Sequence, residues 1–180
     1  MMTADPPREP LRKRQYRIQL EDDYAMALGR AAYAFAYLEW GVSWIVECFE
    51  PGSLDKLRKE TSGYTAKEFA RLTNALPEEA ADRAELVAAA EAFKTLVNDR
   101  NALFHGAPYT AKSGAQQLQH NGRHGRRNWT ESAIVDVALA FEGLAIEVSR
   151  LLHSGPYQAW LERTDEPPDE QWAVKPTLKG

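Results

Sequence analysis

The sequence predicts an all-α protein, an up-and-down helical bundle with a basic loop or small hairpin between its last two long helices. In three long segments, apolar residues recur at steps of three and four, which is the period of an amphipathic helix. Each segment lacks an internal proline and is followed by Pro or Gly. Outside residues 106–129, no segment shows a convincing strand pattern.

The composition predicts one cytoplasmic domain without membrane contact. The 180 residues suffice for a sizeable core. We expect a helical domain at residues 21–163, between a disordered arm at residues 1–20 and a flexible tail at residues 164–180. The formal net charge of −4 means that contact with nucleic acid requires a local basic patch. The lone cysteine, Cys48, fits a reducing compartment, and no apolar run is long enough to cross a membrane.

The first long helix is predicted from Glu21 to about Phe49, with acidic residues at the positive end of the helix dipole. One side of this helix carries an apolar stripe, and roughly the opposite side carries an aromatic one. The aromatic stripe packs either on a second subunit, which would make the protein a homodimer, or under the chain's own loops. It consists of Tyr33, Tyr37, Trp40 and Trp44.

Glu39 lies within the apolar stripe of this helix, about 40° from Phe35. A carboxylate on a core face favours a cationic partner. Arg100 is the other charged residue that falls in a core stripe. We therefore predict that Glu39 pairs with Arg100 or orients it; the alternative is that Glu39 reaches the edge of the stripe and meets water.

A break, a short helix and a second long helix follow. Glu50–Ser53 breaks the first helix, and a polar connector leads to Thr65–Glu68, which matches a capping box. The short helix that begins there ends at Pro77. The second long helix runs from about Glu78 to His105.

Arg100 is the unusual residue of the second long helix, because it continues the apolar stripe about 20° from Phe93. A guanidinium does not deprotonate, so on a buried face it must be paired or face a ligand. His105 follows about 140° around the helix, and Gly106 then stops the helix. The two side chains share a site only through the long reach of arginine, a loosened last turn or a second subunit.

Residues 106–129 are rich in Gly, Gln and Asn and contain no acidic residue. Asn121-Gly122 is a turn signal, so part of the segment is expected to form a hairpin. Its position beside Arg100 and His105 favours a clamp for a polyanion over a solvated loop. The cations of this clamp are Lys112, Arg123, Arg126 and Arg127.

The spacing of His120 and His124 suits a zinc pair on a helix, but they lie in a Gly-rich segment without a nearby cysteine. We therefore expect no metal and no cofactor. The third long helix is predicted from the N-cap Thr130 to about His153, and a short helical piece follows at residues 157–163.

The residues Arg100, Asn101 and His105 resemble the signature of the HEPN superfamily: an arginine, a polar residue directly after it, three more residues and then a histidine near a helix end. The resemblance covers most of the chain, since that superfamily is a helical bundle. It implies a metal-independent endoribonuclease that acts as a homodimer, with two such motifs lining one cleft.

The resemblance also implies the residue roles and the products. His105 would transfer protons, and Arg100 would stabilise the charge on the phosphorane. Asn101 would position the phosphate or Arg100. The 2′-OH of the RNA would attack its own phosphate, giving a 2′,3′-cyclic phosphate and a 5′-OH.

Three functions remain open from the sequence. The first is such a ribonuclease, as a toxin or phage-defence component with an antitoxin or other regulatory partner. The second is a non-catalytic nucleotide- or RNA-binding module of the same fold. The third is a helical dimeric interaction protein without a ligand, in which Arg100 is a buried ion-pair residue.

Overall fold

The computed structural model describes residues 20–122, 125–156 and 159. Most of the predicted N-terminal arm, Arg123, His124, most of the predicted short helix at residues 157–163, and the predicted tail lie outside the described residues. None of the helices in the described part of the chain is both long and apolar enough to cross a membrane. The elements are α1 (Asp22–Phe49), α2 (Leu54–Leu57), α3 (Ser62–Asn74), α4 (Arg83–Phe104), β1 (Ala107–Thr110), β2 (Gln116–Gly122), β3 (Gly125–Trp129) and α5 (Glu131–Ser154).

The prediction of an all-α protein is wrong, because the segment between α4 and α5 forms a three-stranded antiparallel sheet. The strand order is β1-β2-β3. The predicted hairpin corresponds to β2 and β3, whose last register pair is Gly122 with Gly125. Gly125 has a φ of +105°, a conformation that glycine adopts without a steric cost. Helices still make up most of the described fold.

The third strand escaped prediction because β1 has only four residues and includes Pro108. The other two strands gave a weak signal, since they are built mainly from Gln, Asn, His and Arg, which have little preference for strands. Two apolar residues anchor the sheet. Leu118 and Trp129 are cross-strand partners, and both pack against the helices. Tyr24 of α1 adds a hydrogen bond, since its hydroxyl donates to the carbonyl oxygen of Trp129 at 2.9 Å. The sheet therefore depends on contacts that are remote in sequence.

Helices α1 and α5 run parallel. The rings of Phe35 and Phe141 meet at a centroid distance of 5.1 Å, and Gly41 meets Val148 farther along both helices. A Cβ on Gly41 would lie 2.9 Å from Cγ1 of Val148, so this glycine lets the two helices approach closely. The partners in the two contacts are separated by nearly the same number of residues along the chain, so the two helices share a direction.

Helix α4 runs antiparallel to both. Glu85 near its start pairs with Arg150 near the end of α5, and Asp99 near its end pairs with Arg127 just before α5 begins. The rings of Phe93 and Phe35 stack at 6.1 Å between α4 and α1. The three long helices therefore alternate in direction along the chain and enclose one core.

The short helices differ slightly from expectation. Thr61, not Thr65, caps α3, since its hydroxyl oxygen accepts from the backbone N–H of Tyr64 at 3.3 Å. Thr65 is instead buried in the first turn. Helix α4 begins later than predicted because Pro77 and Ala80 close a separate turn, with a 3.1 Å hydrogen bond from the N–H of Ala80.

Candidate functional site

The Arg100 head group lies half-buried between α1 and the end of α4. Its guanidinium carbon lies 5.4 Å from the ring centroid of Phe35 and 5.6 Å from that of Phe104. The negative face of an aromatic ring attracts a cation, and a guanidinium is hydrated weakly enough to accept such surroundings. The two rings thus hold the head group against the core, on the side of α4 that its helical phase indicates.

The charge of Arg100 has no carboxylate partner among the described residues. The neighbouring Asp99 pairs instead with Arg127 of β3. The Nε–H of Arg100 is buried, and no acceptor within the described residues meets it. A half-buried cation with an unsatisfied donor costs free energy until a ligand completes it. The arrangement suits an anion such as phosphate, whose oxygens match the guanidinium donors.

Asn101 fixes the orientation of the guanidinium. The Nη1 of Arg100 donates to the Oδ1 of Asn101 at 3.0 Å. Because Asn101 belongs to the last turn of α4, the bond ties the head group to the helix end. Positioning Arg100 is one of the two roles that the HEPN resemblance implies for Asn101.

His105 is the residue at which α4 ends, and its side chain is exposed. Its backbone N–H donates to the carbonyl oxygen of Asn101 at 3.0 Å. No hydrogen bond or ion pair to another described residue holds the imidazole. Phe104, directly before it, lies beneath the guanidinium of Arg100. Arg100 and His105 therefore occupy the same helix end.

Gly106 determines how the chain leaves His105. A Cβ at this position would lie 2.9 Å from the Cβ of Leu118 and 3.1 Å from the carbonyl oxygen of Leu103. Side chains do not normally approach so closely, so the glycine lets β2 pack against the end of α4. His105 consequently lies at the junction of the bundle and the sheet.

The predicted pair of Glu39 with Arg100 is not among the ion pairs of the described residues. The antiparallel course of α4 explains this. Glu39 lies about 6 Å beyond Phe35 along α1, whereas Arg100 lies seven residues beyond Phe93, on the other side of Phe35. Glu39 is half-buried at the edge of its stripe, which is the alternative that the sequence left open.

The predicted basic clamp divides between the two faces of the sheet. Arg127 lies on the face towards the bundle, where it pairs with Asp99 and stacks 3.8 Å from the ring centroid of Trp129. Its charge is therefore already compensated. Lys112 and Arg126 are exposed, and their binding of nucleic acid stays a prediction. The fourth cation, Arg123, lies outside the described residues.

The sequence alone did not single out the uncharged side chains that accompany Arg126 on the outer face. They occupy alternate strand positions, so they share a face only when the register of the strands is known. The available signal was the density of amide residues in a segment without carboxylates. These side chains belong to Tyr109, Gln117, Gln119, Asn121 and Asn128.

The predicted aromatic dimer stripe is partly covered by the chain itself. Trp40 and Trp44 meet edge to face at 5.8 Å, and the guanidinium carbon of Arg58 lies 5.4 Å from the ring of Trp40. Tyr37 packs against the core, whereas Tyr33 is 75% exposed. The chain itself thus covers the far end of the stripe, whereas none of the described residues covers Tyr33 at the near end.

No group of three metal-ligating side chains comes together within the described residues. His120 lies on the bundle side of β2 as the register partner of Arg127, and its possible zinc partner His124 lies outside the described residues. A Cβ at Gly122 would lie 2.8 Å from the Cε1 of His120, so the imidazole packs over this glycine.

Comparisons of the chain with protein-family models, with curated proteins and with solved structures found no match. The groups that indicate a function are therefore the side chains of Arg100, Asn101 and His105 at the end of α4.

Proposed function

We propose that the protein is a metal-independent endoribonuclease related to the HEPN superfamily, with its active site at the end of α4. One observation carries the proposal: Arg100 is a half-buried cation with no carboxylate partner and with a buried, unsatisfied Nε–H among the described residues. An anion completes such a site. The exposed imidazole of His105, at the same helix end, supplies the proton transfer that RNA cleavage needs.

The reaction uses groups of the RNA and two side chains of the protein. His105 accepts the proton of the ribose 2′-OH, and the 2′-oxygen attacks the adjacent phosphorus. The donors of Arg100 bind the non-bridging oxygens as their charge grows. The bond from phosphorus to the 5′-oxygen then breaks, and the imidazolium of His105 returns its proton to that oxygen. The products are a 2′,3′-cyclic phosphate and a 5′-OH.

We also propose a homodimer whose contact includes the near end of the aromatic stripe. Tyr33 on α1 and Leu139 on α5 are 75% and 59% exposed. Tyr33 precedes Phe35 by two residues, and Leu139 precedes Phe141 by two residues. Because Phe35 and Phe141 are in contact and the two helices are parallel, Tyr33 and Leu139 lie at the same height along the bundle. Val135 and Ile146 continue the exposed apolar stripe of α5. Burial of these side chains against a second copy would remove apolar surface from water.

The cellular setting follows from the chemistry. A ribonuclease that needs no cofactor must be restrained in the cell that makes it. We therefore propose a toxin or phage-defence component held by an antitoxin or other regulatory partner. The lone, buried Cys48 supports a cytoplasmic location.

The test is incubation of purified protein with a labelled RNA of mixed sequence in EDTA. The wild type should cleave it and leave cyclic-phosphate and 5′-OH ends. His105→Ala should lower the rate by about 10²- to 10⁴-fold, the usual contribution of a positioned proton-transfer group. His153→Ala is the matched control, since it removes a histidine from the opposite end of the bundle and should cleave at the wild-type rate.

Cleavage by His105→Ala at the wild-type rate, or complete inhibition of the wild type by EDTA, would contradict the proposal. Binding of the RNA by both proteins without cleavage by either would identify the non-catalytic binding module instead.

A further inference from the structure

The three-stranded sheet has one face on the bundle and one face in solvent. Leu118 and Trp129 are opposite each other in the register, and both pack on the helices. Gln116, two residues before Leu118, accepts a hydrogen bond from the backbone N–H of Glu21 at 2.9 Å. Because successive strand residues point to opposite faces, the intervening residues point away from the bundle.

The outward face combines one aromatic ring with a row of amides. Tyr109 is 40% exposed and pairs in register with Gln117. Gln119 and Asn128 are also register partners, and their side chains are joined by a 2.9 Å hydrogen bond from Nε2 to Oδ1. Amides offer both donors and acceptors, and an exposed ring offers a stacking surface. These are the groups that bind the edges and faces of unpaired bases.

Positive charge borders this face at both ends. Arg126 is exposed at the β2–β3 end, where it pairs in register with Asn121. Lys112 is exposed in the β1–β2 turn, which two backbone hydrogen bonds of 2.9 Å close between Ala111, Gly114 and Ala115. Residues 106–129 contain no carboxylate, although the whole chain has a net charge of −4. The charge of the sheet thus complements an anionic partner and not a basic one, and the exposed ring and amides beside it favour a nucleic acid.

We propose that the outward face of the sheet binds single-stranded RNA, which makes unpaired RNA the substrate class. The inference rests on the proposed function in naming that substrate, but the binding site itself is separate from Arg100 and His105. Tyr109 stacks on a base, Gln117 and the Gln119–Asn128 pair contact base edges, and Arg126 contacts a phosphate. Bases in a duplex are stacked on each other and do not expose their faces to such a ring.

The position of the sheet connects this surface with the active site. Ala107, the register partner of Gln119, lies on the outward face and follows His105 by two residues. A strand of RNA that lies on the amide row therefore leads to the helix end at which cleavage is proposed. Between Gln117 and Asn121 the surface extends about 14 Å along β2, which suits a tract of a few nucleotides.

The test measures RNA affinity in a protein that does not cut its ligand. In the His105→Ala background, a labelled single-stranded RNA and the same sequence annealed to its complement are titrated by fluorescence anisotropy. The single strand should bind more tightly than the duplex. Tyr109→Leu should weaken single-strand binding about fivefold or more, the loss expected for one stacked base.

Arg126→Gln provides the second variant, since it leaves the strand contacts intact. It should weaken binding. It should also lower the magnitude of the slope of log K against log salt concentration by about 0.7, the value expected for the loss of one phosphate contact to a single strand. Arg30→Gln is the matched control, because it removes the same charge from an exposed position on α1. Its affinity and salt dependence should equal those of the background protein.

The outcomes separate this inference from the proposed function. If wild-type protein cleaves RNA while Tyr109→Leu and Arg126→Gln leave single-strand affinity unchanged, the inference is overturned and the ribonuclease stands. If single-stranded RNA binds and both variants weaken it, while wild-type protein does not cleave, the surface stands and the ribonuclease does not. Equal affinity for the single strand and the duplex, or no RNA binding at all, overturns the inference.

Discussion

At the scale of single residues, the decisive feature is the charge of Arg100, which no carboxylate among the described residues compensates. The two neighbouring arginine contacts differ in kind: Arg127 has a carboxylate partner in Asp99, and Arg100 has an amide partner in Asn101. An amide orients a guanidinium without neutralising it. The full charge of Arg100 therefore remains for an anion, which argues against its being a buried ion-pair residue in a protein without a ligand.

Substitution of Arg100 by lysine separates catalysis from packing. The lysine stem still covers Phe35, but an ammonium cannot offer the forked donors that match two phosphate oxygens. We expect Arg100→Lys to lower kcat about 10²-fold or more and to change the free energy of unfolding by less than about 1 kcal/mol. Cleavage assays and urea unfolding measure the two quantities.

The opposite pattern would count against the catalytic role of Arg100. Normal cleavage with a large loss of stability would make Arg100 a structural residue of the core. Glu39→Gln is the companion variant, and it should leave cleavage unchanged because Glu39 and Arg100 do not pair.

At the scale of elements, the site exists because a helix passes directly into a strand. Helix α4 ends at Phe104, and β1 begins at Ala107, so only His105 and Gly106 separate them. The close approach of Leu118 to Gly106 and the Asp99–Arg127 pair both bind the sheet to α4. The position of His105 therefore depends on the docking of the sheet.

Gly106→Ala tests this dependence. The new Cβ would lie 2.9 Å from the Cβ of Leu118, so the strand or the helix end must shift. We expect a loss of about 1–3 kcal/mol in the free energy of unfolding, as for other overpacked sites, together with slower RNA cleavage. Gly143→Ala on α5 is the control, since a Cβ there meets nothing within 4 Å. It should stabilise the protein by about 0.5–1 kcal/mol. Equal stabilities of the two variants would exclude a tight junction.

Tyr24 gives the docking of the sheet a pH dependence. Burial raises the pKa of the Tyr24 phenol above its ordinary value of 10.0. A backbone hydrogen bond of Leu118 lowers this pKa, but by less than burial raises it. Below pH 10.0 the phenol is protonated in both folded and unfolded chains, and its contribution to stability is complete. As the pH rises further, the unfolded chain ionises first, so stability falls until the folded-state pKa is passed.

Tyr24→Phe should weaken this alkaline loss of stability. At neutral pH it should cost about 1 kcal/mol, because the carbonyl oxygen of Trp129 loses a donor. Urea unfolding on both sides of the ordinary tyrosine pKa measures both effects. Tyr109→Phe is the control, since Tyr109 is 40% exposed and lies outside the proposed dimer contact, and it should change neither. An alkaline decline of Tyr24→Phe equal to that of the wild type would show that other groups cause it.

At the scale of the whole molecule, α1 and α5 both carry exposed apolar side chains. The parallel packing of the two helices brings Tyr33 and Leu139 to the same level. Trp40 and Trp44, which the sequence assigned to the same interface, are half-buried and contact each other. The proposed dimer contact therefore involves α5 as much as α1.

Leu139→Arg tests the dimer. A charge at the centre of a buried contact is costly, so we expect the variant to sediment as a monomer at concentrations at which the wild type is a dimer. Ala92→Arg adds the same charge at an exposed position on α4, outside the proposed contact, and should leave the dimer intact. A wild type that is monomeric at every concentration would remove the dimer from the proposal.

The sequence determined the local features. Periodicity and caps located the three long helices to within a few residues of their observed ends, because helices are held by contacts between near neighbours. The phase of Arg100 correctly indicated its core-facing position, and the turn signal at Asn121-Gly122 indicated a hairpin. Each of these features follows from residues that are close in the chain.

Only the tertiary structure decided the partners. Helix direction determines whether Asp99 pairs with Arg127 or with Arg100, and whether Glu39 reaches Arg100. Strand register determines which amides share a face of the sheet. These are set by contacts such as Tyr24 with Trp129 and Gly106 with Leu118, which the chain order does not encode locally. The sheet itself formed from residues of low strand preference, because docking of Leu118 and Trp129 on the helices outweighed local propensity.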